Sequence, residues 1–127
     1  SRDEALVSLK DSEKDEQKIF IDLIDFYGSP AIIIEDSFSK IWREIGLSLD
    51  RSGLLVQDLN RDKAIYVITS DIIEGKEVSY EIKLTKKKEQ HLVTVHKHNA
   101  TGAVSYNAAR NILKHILAAY GSSVAKK

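Results

Sequence analysis

The stretch Glu35–Arg61, EDSFSKIWREIGLSLDRSGLLVQDLNR, constrains the fold more than any other part of the chain. Asp36 and Ser37 carry side-chain oxygens that accept from the free amides of a first helical turn, so a helix begins beside them. Phe38, Ile41, Trp42, Ile45 and Leu49 then recur at helical spacing as one apolar stripe, while Lys40, Arg43, Glu44 and Asp50 fall mostly on the other side. Gly53 stands where a left-handed residue closes a helix. Upstream, Ala31–Glu35 (AIIIE) is rich in β-branched residues and reads as a buried strand. Downstream, Leu54–Asn60 alternates loosely and reads as another. A one-sided helix between two strands demands a sheet for its stripe to cover. Trp42, the only tryptophan, sits at the centre of that stripe.

The remaining segments supply the sheet. Arg61, Asp62 and Lys63 form a turn, and Ala64–Thr69 (AIYVIT) is the next strand. Asp71–Glu77 holds Glu74-Gly75-Lys76, a hairpin-type loop. In Val78–Leu84, residues Val78, Tyr80, Ile82 and Leu84 face one way, and Ser79, Glu81 and Lys83 the other. Such alternation belongs to an antiparallel sheet with one covered and one wet face. Thr85–Gln90 (TKKKEQ) reads as a charged turn, and Leu92–His98 as the last strand, with Val93 and Val95 inward. Ser105 can cap a final helix with the stripe Ala109, Ile112, Leu113, Ile116 and Tyr120, ended by Gly121. Near the N-terminus, Ser12 is a candidate cap, Glu13, Asp15 and Glu16 suit a first turn, and Phe20, Leu23, Ile24 and Tyr27 recur at helical spacing. Gly28 and Pro30 then read as stop signals. The expected fold is α+β, an antiparallel sheet of about five strands with two helices packed on one face, the helix-grip arrangement, plus an N-terminal helix. The expected domains are residues 1–28 as an N-terminal helical segment belonging in part to a preceding domain, 29–121 as the helix-grip domain, and 122–127 as a flexible tail.

Composition narrows the function classes. The 127 residues suit one domain, and 43% hydrophobic with 30% charged residues is a globular balance. Lysine plus arginine equals aspartate plus glutamate at 19 each, so net charge gives no reason to expect nucleic acid or an anionic membrane as partner. The absence of cysteine excludes disulfides and thiol chemistry. The start at Ser1 without methionine is expected of an excised domain or processed piece.

Residue clusters that could carry chemistry are few. His96 and His98, two apart on a strand, would share a face and could ligate zinc or copper, but no third ligand is evident. His115 reads as a packed or edge histidine of the last helix, and His91 completes the set. Asp22 and Asp25, three apart, could share a helix face for acid–base work if a cleft tuned them. Asp58, Arg61 and Asp62 read as turn chemistry with surface ion pairs. Lys86, Lys87 and Lys88 form a basic knuckle that reads as a solubilising turn guarding a sheet edge. There is no phosphate loop, dinucleotide fingerprint, nucleophile elbow or HExxH motif, so no catalytic, cofactor-binding or metal residue is assigned and no cofactor is expected.

Phe38, Ile41-Trp42-Arg43, Gly46-Leu47, Leu49-Asp50-Arg51-Ser52-Gly53, Val56, Asp58 and Arg61 together resemble the BamC (NlpB/DapX) family of outer-membrane lipoproteins. The resemblance extends over about Ser29–Tyr120. Leu54 stands where the family usually has an aromatic, and the loop Asp71–Glu77 is shorter than is common there. What the resemblance implies is a non-enzymatic scaffold or interaction domain of a lipoprotein subunit of the outer-membrane β-barrel assembly machinery. Its partners would be other protein subunits of that complex, and its membrane attachment a lipid anchor outside this fragment. The location implied is the outer membrane of a Gram-negative bacterium, with the domain in the periplasm or at the cell surface. Lys83, Lys97, His96 and His98 are surface candidates, and the groove beside the last helix or the open sheet face is the expected binding surface. The alternative is a small-molecule or lipid-binding helix-grip domain, which a cavity of roughly 300 Å³ or more between helices and sheet would favour and a core filled by Trp42, Ile45, Ile112 and Ile116 would reject.

Overall fold

Apolar alternation in the strands and one-sided stripes in the helices are buried together by a sheet with both helices on one face. The computed structural model describes residues 19–70 and 77–121. In chain order the elements are β1 (Phe20–Phe26), β2 (Ser29–Glu35), α1 (Phe38–Arg51), β3 (Leu55–Asn60), β4 (Ile65–Ser70), β5 (Val78–Lys87), β6 (Gln90–Lys97) and α2 (Tyr106–Ala119). The six strands form one sheet in the order β1-β2-β6-β5-β4-β3, with every neighbouring pair antiparallel. The helix α1 therefore carries the chain from β2 to the far edge, and α2 returns to pack on β2, β6 and β1.

Two details of the expected fold are corrected. The sheet has six strands rather than about five, and residues 20–26 form strand β1 rather than the end of an N-terminal helix. Phe20 pairs with Glu35 and Phe26 with Ser29, closed by a two-residue turn at Tyr27 and Gly28. Both turn residues have positive φ, 51° and 83°, as a type I′ hairpin requires. Gly28 adopts this geometry at no steric cost, which is why it stands in the turn and does not end a helix. In such a hairpin Phe26 and Ser29 form the hydrogen-bonded closing pair, so the nitrogen of Pro30 faces β6 instead. The β2–β6 ladder spans only Ile32–Ile34, so Pro30 deprives it of nothing. Residues 1–18, where the start of the expected N-terminal helix falls, and the expected tail 122–127 lie outside the described residues.

The core lies between the sheet and the helices. Ile32 and Ile34 from β2, Ile68 from β4, Tyr80 and Ile82 from β5 and Val93 from β6 meet Ile41, Ile45 and Leu49 of α1 and Ile112, Leu113 and Ile116 of α2. Ile21 and Leu23 of β1 pack against this cluster, while Phe20, Ile24 and Phe26 occupy the opposite face. Helix α1 begins at Ser37, whose hydroxyl accepts from the Lys40 amide at 3.4 Å. It ends in a Schellman motif: Leu54 N donates to Leu49 O at 3.1 Å and Gly53 N to Asp50 O at 3.3 Å, with Leu49 and Leu54 both buried. The Ser52 hydroxyl lies 2.6 Å from Ser48 O and 3.0 Å from His115 O, joining the end of α1 to α2. Helix α2 starts at Ser105, whose hydroxyl accepts from Ala108 N at 3.2 Å.

The charged turn expected over Thr85–Gln90 contracts to Lys88 and Glu89, because β5 runs to Lys87 and β6 starts at Gln90. The lysine knuckle thus tips an interior hairpin and guards no sheet edge.

Removing residues 1–28 tests the correction. A domain starting at Ser29 would be indifferent to that truncation if β1 were a neighbour's helix. With β1 in the sheet, the loss of half-buried Ile21 and Leu23 is expected to lower stability by roughly 2–4 kcal/mol, read by urea denaturation.

Candidate functional site

Helix α1 packs on the sheet through an aromatic ladder. Trp42 stacks on Tyr66 of β4 at 4.1 Å between ring centroids, and Phe38 stacks on Trp42 at 5.8 Å. The Tyr66 hydroxyl donates to the Trp42 carbonyl at 2.7 Å. The approach is close because residue 46 is glycine: a Cβ there would meet Tyr66 Oη at 2.6 Å and Cζ at 3.2 Å. Arg61, after β3, turns back over the Phe38 ring at 5.6 Å and donates to Ser39 Oγ at 3.0 Å.

On the outer side of this ladder an open groove runs between α1 and β3, with a volume of about 710 Å³. Its floor is Trp42, Gly46, Val56 and Tyr66, and its walls are Leu47, Leu59, Arg43 and Arg61. Leu59 is 52% exposed and Leu47 36%, so the groove presents apolar surface to solvent. Burial pushes the Tyr66 phenol above its ordinary pKa, with Arg61 opposing, so it stays a protonated donor. The sequence places Trp42 in a helix stripe, Arg61 in a turn and Gly46 among the family-like residues, and does not reveal that they converge with Leu59 and Tyr66 on a surface. Gly46, a glycine inside an amphipathic helix, was the available signal of a close approach.

The surface candidates do not form one patch. His96 and Lys83 stand on the face away from the helices, where His96 is paired with Glu81 across the strands. His98, just past β6, places Nδ1 2.9 Å from Glu81 Oε2. Lys97 alternates to the helix-bearing face. His96 Nε2 is 2.8 Å from Thr94 Oγ1. Among the described residues no group of three His, Cys, Asp or Glu side chains could hold a metal ion. Asp22 and Asp25, expected to share a helix face, lie on opposite faces of β1 because the strand period is two. Arg61 is engaged by Ser39 and Phe38 rather than by Asp58 or Asp62, and Asp58 Oδ1 accepts from Leu59 N at 2.8 Å. His115 Nδ1 donates to the Asn111 carbonyl at 2.7 Å along its own helix.

Two buried polar spots lie elsewhere. His91, 6% exposed, faces the helices beside Phe38, and its Nδ1 has no partner among the described residues. Burial, then Lys86, pushes its imidazole below the ordinary histidine value. The Tyr120 hydroxyl is buried near Asp36 and Glu44, and burial, then those carboxylates, push its pKa up.

The class these features define is a two-layer α+β domain with an open apolar groove between a helix and an edge strand. A family model described as outer membrane protein assembly factor BamC-like C-terminal domain matches residues 21–76, a span that starts at Ile21 in β1 and takes in β2, α1, β3 and β4. Over that span the chain is similar to the BamC family. It is 37% identical over 65 residues, 51% of this chain, to the outer membrane protein assembly factor BamC of Accumulibacter regalis. It is also 37% identical over 41 residues, 32% of this chain, to the protein of the same name from Thiobacillus denitrificans (strain ATCC 25259 / T1). The aligned stretches make up 15% and 11% of the lengths of these two curated relatives.

His91 and His96 both take up protons less readily in the fold than in the unfolded chain, burial being the first cause for each. Stability is therefore full above about pH 6.5 and falls as acidification protonates the unfolded state first. Thermal melts from about pH 7 to about pH 5 are expected to show a falling Tm, and His91→Leu to make the fall shallower. In the aromatic ladder, Gly46→Ala is expected to cost about 1–3 kcal/mol despite the better helix propensity of alanine. Combining it with Tyr66→Phe, which removes the clashing oxygen, is expected to recover part of that loss in a double-mutant cycle.

Proposed function

We propose that this chain is a non-catalytic interaction domain of a lipoprotein subunit of the outer-membrane β-barrel assembly machinery. The match of residues 21–76 to the BamC-like C-terminal domain carries the reading. The described side chains support it. The titratable groups lie scattered over both faces of the sheet, and the groove between α1 and β3 is largely apolar and open, suited to a protein surface. Two helices over one sheet face are what a helix-grip domain needs, and residues 29–121 with β1 added would be that domain. The partners would be the other protein subunits of the complex. Attachment would come from a lipid anchor outside this chain, in the outer membrane of a Gram-negative bacterium. The small-molecule alternative loses support because Trp42, Ile45, Ile112 and Ile116, all buried, occupy the space between helices and sheet.

Co-purification tests the reading. The full-length lipoprotein, tagged and extracted in mild detergent from the native membrane, is expected to bring down barrel-assembly subunits in fixed ratio. Recovery of the lipoprotein without them would overturn the proposal.

A further inference from the structure

The groove between α1 and β3 has a lining that points to its occupant. It contains two arginines and no carboxylate. Arg61 is held in place by Ser39 Oγ and the Phe38 ring, neither of them anionic, so its charge is fixed at the groove wall with no ion-pair partner among the described residues. Arg43 lies 3.9 Å from Glu44, a long contact, and its side chain is 65% exposed. Between the cations the walls are Leu47 and Leu59, 36% and 52% exposed. The chain as a whole balances its charges at 19 of each sign, so this local excess of positive charge is a property of the groove.

We propose that the groove binds an extended segment of a partner protein in which acidic residues accompany apolar ones. Carboxylates would meet Arg43 and Arg61, where the planar guanidinium offers paired donors. Apolar side chains would lie on Trp42, Leu47 and Leu59. An open trough beside an edge strand admits a chain that enters and leaves, which an enclosed ligand cavity would not. The inference deepens the interaction-domain reading and rests on it.

Trp42 makes the test direct, because the only tryptophan of the chain lies in the groove floor. The full chain is titrated with a blocked synthetic peptide alternating leucine and aspartate, and with its twin carrying lysine for aspartate. The acidic peptide is expected to change Trp42 emission saturably and to bind at least about tenfold more tightly than its twin. Arg61→Glu is expected to weaken it at least about tenfold. Arg43→Glu, at an exposed position, repeats the test should the first variant fold poorly. Equal binding of the twins, or unchanged affinity in both variants, overturns the proposal. So does concentration-dependent self-association abolished by Arg43→Glu, which would seat a second copy there. Binding to phosphatidylglycerol vesicles without peptide binding overturns it in favour of a membrane surface. If the full-length lipoprotein carrying both substitutions still co-purifies with assembly subunits while the peptide fails to bind, the groove is excluded and the interaction-domain reading stands.

Discussion

The contact between Trp42 and Tyr66 ties the two layers of this domain together. The rings stack, and the tyrosine hydroxyl also reaches the tryptophan's own carbonyl, so both the side chain and the backbone of α1 are fastened to β4. Aromatic pairing adds about 0.5–1.5 kcal/mol beyond area burial, and a hydrogen bond about 1 kcal/mol net. The larger effect is positional. Gly46 lets the helix settle onto the phenol, and at that depth Ile41, Ile45 and Leu49 are buried with the sheet and α2. Phe38 and Arg61 extend the ladder outward, so the turn after β3 is held to the first turn of α1.

The elements legible in the sequence are those with one apolar side. Helix α1 announces its cap, stripe and stop in order, β5 alternates without interruption, and α2 repeats the pattern of α1. Strand β1 was illegible for a physical reason. Its inner residues Ile21 and Leu23 and its outer residues Phe20, Ile24 and Phe26 are all apolar, so the alternation vanishes. What remains, Phe20, Leu23, Ile24 and Tyr27, falls on helical spacing by coincidence. The hairpin that would have exposed the error turns on Tyr27-Gly28, and tyrosine is not a residue that signals a type I′ turn. The groove was illegible because it depends on topology. Leu59 and Tyr66 meet Trp42 and Leu47 only when α1 crosses to the edge where β3 and β4 pair.

The residues that relate the chain to the BamC family thus have a double character. Leu49, Ser52 and Gly53 close the helix and bond it to α2, which is architecture. Trp42, Gly46 and Arg61 also set the fold, yet each keeps an edge in the groove. A pattern that looks purely structural along the chain can therefore mark a surface, because packing a helix against an edge strand builds the two together.

The strand order has a consequence for how the chain is made. The hairpin β1–β2 stands at one side of the sheet and β3–β4 at the other, while β5–β6, the last hairpin to leave the ribosome, fills the gap between them. Until it inserts, two separated ribbons joined by α1 expose their inner backbone edges and the underside of the helix. The keystone strands bring pairings distant in sequence, such as Ile33 with Leu92, which close late and slowly. The inner edges of β2 and β4 thus have no partner in the sheet until β5 and β6 are present to fill the gap.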